Sequence, residues 1–250
     1  MNSRHKTLVR RVLSGDQSSN QALRELCLEA KTLRGSERFA LISPAFLHFF
    51  SHRKPPTLQE KPPNLLPLSE ERLALDTFRA ILAMFDIFLN VGDPPRQIRQ
   101  IMSSFTETIP HFITWASYLV EAFVENDLLT VRLLGDSSLH TLSIVSELLL
   151  AIIFATEQEI HAIKGVGNLI FRVFIYGLLV EPHSSSSLEK LDEITLSGVN
   201  LIGKMSENWE EFCTGAPDSF WPAESLASSL WKSCFIAGPP CRVHPTSHAA

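Results

Sequence analysis

The stretch LHTLSIVSELLLAIIFA, Leu139 to Ala155, decides the fold class, and EQEIHAIKGVGNLIFRVFIYGLLV, Glu157 to Val180, follows it along the chain. In the first stretch the polar residues His140, Ser143 and Glu147 recur at steps of three and four, which indicates one narrow polar stripe on an otherwise apolar helix. The second stretch has a polar face and an apolar face at the same helical spacing. We therefore predict two consecutive helices at the centre of the core, the first of them covered on most sides.

A membrane hairpin is the rival interpretation of these two apolar stretches. A spanning helix needs about 20 predominantly apolar residues with few charges. Glu147 interrupts the first stretch, and Lys164 and Arg172 interrupt the second. The pair is therefore more typical of helices buried in a soluble domain than of membrane spans.

Helical spacing of apolar residues covers most of the 250 residues, and no stretch has the alternation of a strand or hairpin. We predict an all-α chain of about ten helices, arranged as an armadillo- or HEAT-like array or as an irregular helical bundle. Four segments are expected: basic amino-terminal helices in residues 1–53, a proline-rich linker or strap in 54–68, the helical array that forms the core in 69–213, and an irregular tail in 214–250.

Capping residues predict where several helices begin. Ser69, followed by Glu70 and Glu71 in the first turn, indicates a helix that continues to about Asn90. The side chain of Ser19 or Asn20 can cap an earlier helix.

Prolines and glycines predict where helices are interrupted. Because proline is favoured in the first turn, we expect a short helix from Ser43 or Pro44 to about Phe50. For the same reason we expect one helix to end near Thr108 and the next to start at Ile109 and Pro110. A glycine lowers helix propensity, so the helix that begins near Ser186 should weaken at Gly198 and Gly203.

Charge is unevenly distributed, although the net charge of −5 is ordinary. Residues 1–53 contain nine Lys and Arg against four Asp and Glu, whereas residues 107–213 contain five against fifteen. The basic amino-terminal end and the acidic body could complement each other within one fold, or present two faces to different partners. The acidic body would repel phosphate, so we do not expect nucleic-acid binding.

The cysteines and the amino terminus indicate an intracellular protein. Cys27, Cys213, Cys234 and Cys241 are too few and too scattered for a disulfide framework, and Cys27 lies on the apolar face of its helix as a core residue. The first residues have no apolar signal-peptide region, so we expect a cytoplasmic protein. Their basic, amphipathic pattern also fits a mitochondrial presequence, which stays an alternative.

No assembled catalytic, cofactor or metal motif is found in the sequence. HExxH, paired CxxC, GxSxG and Walker motifs are all missing. The nearest approach to a zinc cluster is Cys234, Cys241 and His244 with the distant Cys213, and these residues lack CxxC spacing. We therefore predict no catalytic, cofactor-binding or metal-binding residues and no enzyme activity.

A family resemblance rests on the phrases IPHFITWASYLVEAF, LHTLSIVSELLLAIIFA and GNLIFRVFIYGLLV, within residues 94–203. This region resembles the armadillo-like helical arrays that precede a MYND-type zinc finger in families of uncharacterised proteins. The paired-cysteine zinc module is missing here, so the resemblance implies only the helical array, and it would fit a truncated relative of a longer zinc-finger protein.

These observations lead to a non-catalytic protein–protein interaction module whose partner is another protein. The candidate binding surface is the polar stripe of the second central helix, formed by Glu157, His161, Lys164, Asn168 and Arg172. A second hypothesis is association with a membrane surface through the basic first helix and the apolar central pair. A third is an all-α enzyme with dispersed active-site residues.

Overall fold

A computed structural model describes residues 3–30, 36–56, 69–89, 96–125, 136–156, 165–179 and 185–206. Eight α-helices and no strand occupy these ranges, which confirms the all-α prediction for them. Most of the proline-rich segment and the tail predicted at 214–250 lie outside the described residues. The helices are α1 (Ser3–Ser14), α2 (Ser19–Ala30), α3 (Ser36–His52), α4 (Ser69–Leu89), α5 (Arg96–Leu119, continued by a π-helical turn, Val120–Glu125), α6 (Asp136–Thr156), α7 (Val166–Leu179) and α8 (Ser185–Ser206).

The turn between α1 and α2 is fixed by local chemistry. Gly15 ends α1 with a φ of 67°, and its N–H donates to the carbonyl of Val12 at 3.2 Å. The carboxylate of Asp16 then accepts from the backbone N–H of Ser18 at 2.8 Å and from its hydroxyl at 2.6 Å. Both hydrogen bonds lower the pKa of Asp16, and the bond from the Ser18 hydroxyl has the larger effect. The sequence prediction of a helix start at Ser19 is confirmed.

Two predicted breaks at prolines are wrong. α3 begins at Ser36 and runs through Pro44, and α5 runs through Pro110 without a new start. A proline inside a helix removes one hydrogen bond and costs about 3 kcal/mol, so packing must outweigh it. Phe105 and Phe112 lie on either side of Pro110 and are both buried, with ring centroids 5.0 Å apart. That shared burial supports an uninterrupted α5.

The helices form two rows. Each helix packs against the next one along the chain, and also against the one after that. Contacts therefore link α1, α3, α5 and α7 in one row and α2, α4, α6 and α8 in the other. One continuous apolar core contains residues of both rows and of the helices on both sides of the proline-rich segment.

Among the residues that the structure describes, the bulkiest buried side chains lie in α3, α4 and α5. α6 is indeed buried on most sides, as its narrow polar stripe predicts. However, the largest fully buried side chains are those of Trp115 and of phenylalanines in α3, α4 and α5. Phe50 stacks on Phe78 at a centroid distance of 4.4 Å and meets the edges of Phe49 and Phe112 at 5.0 Å. These aromatic contacts join three helices.

Two glycines allow α7 and α8 to approach each other closely. A Cβ at Gly198 would lie 3.0 Å from the Cα and Cβ of Phe174, and one at Gly177 would lie 2.9 Å from the hydroxyl oxygen of Thr195. α8 continues through Gly198 to Ser206, so the lower helix propensity of glycine does not end the helix there. Glycine at this position provides room for the neighbouring helix.

Candidate functional site

The structure describes only two of the five residues of the predicted polar stripe. Asn168 and Arg172 lie one turn apart on α7, and both are half-buried. Glu157, His161 and Lys164 lie outside the described residues.

The stripe also assumes one helix from residue 157 to 180, and this assumption is wrong at Gly165. Gly165 has a φ of 83° and precedes the first turn of α7, where its carbonyl accepts from the N–H of Leu169 at 3.1 Å. A left-handed residue interrupts the helical rotation that would align Lys164 with Asn168. The stripe therefore stays a prediction that the described residues support only at Asn168 and Arg172.

Several buried polar side chains connect helices. The hydroxyl of Tyr118 donates to Oε1 of the buried Glu71 at 2.6 Å, which joins α5 to α4. The Cys27 thiol lies 3.6 Å from the hydroxyl of Thr77, which itself donates to a backbone carbonyl of α4. The prediction that Cys27 is a core residue is confirmed. These contacts hold the packing together and do not converge on a common point.

Arg53, just after α3, connects four helices. Its carbonyl accepts from Nε1 of Trp115 in α5 at 2.9 Å. Its guanidinium donates to the Ser19 hydroxyl of α2 at 3.1 Å, lies 3.5 Å from a carboxylate oxygen of Glu70 in α4, and sits over the ring of Phe49 in α3. Arg53 thereby fixes the end of α3 between its neighbours.

A pair of histidines lies at this same end of α3. The rings of His48 and His52 are stacked, with centroids 3.9 Å apart and an interplanar angle of 29°. Nδ1 of His52 is 3.1 Å from the backbone carbonyl oxygen of His48. Partial burial, together with the nearby His52 and Arg53, lowers the pKa of His48. The sequence analysis missed this pair, although the spacing of four residues was visible.

A second perturbed histidine, His140 on α6, faces charged residues of α4 and α8. Partial burial lowers its pKa, Arg79 and Lys190 lower it further, and Asp76 opposes them. Arg79 and Asp76 are themselves paired at 3.0 Å. The neutral imidazole is therefore favoured where these helices meet.

We expect the stability of the protein to fall as the pH drops below about 6.5, the ordinary pKa of histidine. The pKa of His140 is lower in the folded protein than in the unfolded chain, so the unfolded chain binds the proton first as pH falls. Urea unfolding at pH 7.5 and pH 5.5 measures this change. His140→Gln should show a smaller decrease between the two pH values than the unaltered chain, and an equal decrease would contradict the assignment.

The basic helix α1 uses its apolar face inside the protein. Leu8, Val9 and Val12 are buried in the core. On its polar side, Arg4 lies 3.3 Å from carboxylate oxygens of both Glu25 and Glu29 in α2. Most of the apolar face on which the membrane-surface hypothesis and the presequence alternative depend is therefore occupied in the folded chain, although Leu13 at the end of α1 is 44% exposed. None of the helices in the described ranges is long and apolar enough to cross a bilayer.

The outer side of α8 carries exposed apolar residues, a feature that the sequence analysis did not single out. Leu196 is 62% exposed and Val199 is 50% exposed, whereas Leu191 and Ile194 on the opposite side are buried. Glu189, Glu193 and Asn200 are also exposed and recur at steps of four and three with Leu196. We call Glu189, Glu193, Leu196, Val199 and Asn200 the α8 surface.

Neither similarity to known proteins nor a group of metal ligands identifies a function for the chain. No protein-family model, curated protein or solved structure matches the chain. The resemblance to MYND-associated helical arrays therefore stays a prediction. Within the part of the chain that the structure describes, no three His, Cys, Asp or Glu side chains are grouped so that they could hold a metal ion.

Proposed function

We propose that the chain is a non-catalytic protein-binding module built on an armadillo- or HEAT-like helical array. The proposal is supported by the two rows, in which each described helix packs against helices one and two positions away along the chain. Such short-range stacking is characteristic of solenoid proteins, which bind partners through extended helical surfaces. The buried polar contacts are used for packing, which agrees with a scaffold role.

The α8 surface is the contact surface in this proposal. The single observation that carries it is the exposure of Leu196 and Val199, two large apolar side chains three residues apart on one helix. Isolated exposed apolar residues are common, whereas contiguous apolar surface with a polar rim marks interaction sites. Leu196 and Val199 are adjacent on the helix surface, and the exposed Glu193 and Asn200 lie beside them.

The partner is a protein that presents a basic amphipathic helix. Its apolar residues would cover Leu196 and Val199, and its Lys or Arg residues would meet Glu189 and Glu193. The acidic composition of residues 107–213 favours such a partner over an acidic one. Charge complementarity would mainly increase the association rate, while apolar burial would provide affinity.

The test compares three forms of the full chain in affinity capture from native extract with quantitative mass spectrometry: unaltered, Leu196→Glu with Val199→Glu, and the control Leu28→Glu. Leu28 on α2 is 64% exposed, so its substitution adds a charge at an equally exposed leucine elsewhere. We expect one partner to be lost with the α8 variant and retained with the control, and to bind the purified chain directly through a basic helix.

If a second copy of the chain or its own residues 207–250 cover the α8 surface, the measurements should differ from those expected for a partner protein. A second copy of the chain would show as a doubled mass in light scattering that the α8 variant abolishes. Covering by the chain's own residues 207–250 would leave every captured partner unchanged in the α8 variant and lower its thermal stability. Either result would overturn the proposed contact surface.

A further inference from the structure

The outer side of α1 carries positive charge and one exposed leucine. Lys6, Arg10 and Leu13 recur at steps of four and three, so they lie on one side of the helix, and all three are exposed. Leu13 is 44% exposed, whereas the opposite side of α1 is buried in the core. The helix contains four Lys and Arg residues and no Asp or Glu. We call Lys6, Arg10 and Leu13 the α1 outer face.

The neighbouring helices do not neutralise the α1 outer face. α1 packs against α2 and α3. The glutamates of α2 that reach α1 contact Arg4 and His5, which are not part of the outer face. Residues 40–56, which contain most of α3, have no Asp or Glu. Among the described residues, no carboxylate forms an ion pair with Lys6 or Arg10, so both charges are available to an anionic surface.

The placement of the three side chains suits a surface that carries anionic lipid headgroups. Because they share one side of α1, a helix that lies flat on such a surface brings all of them within the screening length, about 8 Å at physiological ionic strength. Each Lys or Arg held there strengthens binding by about fivefold. The leucine adds apolar contact at the boundary between headgroups and acyl chains.

A lipid surface fits the α1 outer face better than an acidic protein or a nucleic acid does. A specific protein interface depends on several buried apolar or aromatic anchors, and the outer face offers one leucine. A nucleic acid is held by many phosphate contacts and offers little apolar surface to that leucine. The chain is basic in residues 1–53 and acidic in residues 107–213, and this asymmetry turns the α1 end towards an extended anionic surface.

We infer that the α1 outer face docks on the surface of a membrane that contains anionic phospholipids. The apolar face of α1 stays in the core and the central helices α6 and α7 take no part, so docking leaves the fold unchanged. Two charges and one leucine give weak, reversible binding, since stable anchoring needs a stronger second signal. α8 packs against α6 and α7, so the inference goes beyond the protein partner of the α8 surface and does not depend on it.

The experiment is co-flotation of the untagged full chain with lipid vesicles. The vesicles contain phosphatidylcholine alone or with about 30% phosphatidylserine, and the salt concentration is about 0.05 M or about 0.5 M. The two outer-face variants are Lys6→Glu with Arg10→Glu, and Leu13→Ser. The control is Arg24→Glu with Lys190→Glu, which changes the net charge equally at exposed residues of α2 and α8.

We expect the unaltered chain to float with the phosphatidylserine vesicles at low salt and to lose most of this binding at high salt. Reversal of both outer-face charges should weaken binding by about 25-fold or more, because two attractions become two repulsions. Leu13→Ser should weaken binding by about threefold. The control should lose less than about fivefold, because its residues do not share the outer face.

Three results would overturn the inference: no flotation at low salt, equal flotation with phosphatidylcholine alone, or unchanged affinity in either outer-face variant. An equal loss in the charge-reversal variant and its control would also overturn it, because net charge and not the α1 outer face would then determine binding. The substituted residues are all exposed, and circular dichroism confirms that each variant remains helical.

Discussion

Replacement of Phe50 by alanine should lower the free energy of unfolding by about 3–5 kcal/mol, the range for a large buried aromatic residue. Phe50 is 0% exposed, and its ring contacts Phe78 of α4, Phe112 and Trp115 of α5, and Phe49 of its own helix. The substitution would leave a cavity where three helices meet. Neighbouring aromatic rings are rigid and would fill it only in part.

Urea unfolding followed by circular dichroism measures this loss, with Leu28→Ala as the control. Leu28 is largely exposed on α2, so its truncation should change the free energy of unfolding by less than about 0.5 kcal/mol. If Phe50→Ala costs less than about 1 kcal/mol, the aromatic cluster is not a principal contributor to stability. The packing of α3 between α4 and α5 would then be wrong.

The sequence could predict those helix ends that depend on local chemistry. α4 begins at Ser69 and ends at Leu89, close to the expected ends, because a serine cap and two glutamates in the first turn act on adjacent residues. α2 begins at Ser19 for a similar local reason. Such signals need no knowledge of what packs against the helix.

The sequence could not predict how the prolines behave. Pro44 and Pro110 have the local pattern of helix starts, and yet both lie inside helices. What differs is the burial of apolar residues on both sides of each proline, Ile42 and Phe46 around Pro44 and Phe105 and Phe112 around Pro110. That burial depends on distant parts of the chain. Gly198 is a similar case, since its role depends on Phe174 of the neighbouring helix.

For the α8 surface, too, the sequence predicts the helix but not which of its apolar residues are exposed. Leu191, Ile194, Leu196 and Val199 all fit helical spacing in the sequence. Only the packing of α8 against α6 and α7 decides that the first two are buried and the last two exposed. The sequence did contain one signal of this exposure, because α8 has more apolar residues than one buried helix face can hold.

Replacement of Tyr118 by phenylalanine should lower the free energy of unfolding by about 1–3 kcal/mol, although it removes a single oxygen atom. The Tyr118 hydroxyl donates to Oε1 of Glu71 at 2.6 Å, and Glu71 is fully buried near the start of α4. A buried acceptor that loses this donor gains no hydrogen bond to water in exchange, so the loss costs more than it would at the surface. The shape of the core is otherwise preserved, since phenylalanine keeps the ring.

The control is Ser143→Ala, which removes a hydroxyl that donates to Glu147 at 3.1 Å on the exposed surface of α6. Both variants delete one hydroxyl bonded to a glutamate, so they differ mainly in burial, and Ser143→Ala should change stability by less than about 0.5 kcal/mol. In a Glu71→Gln background the cost of Tyr118→Phe should shrink, because an amide oxygen is a weaker acceptor than a carboxylate. If the two hydroxyl deletions cost the same, then burial does not strengthen the Tyr118–Glu71 bond, and that bond is not a principal link between α4 and α5.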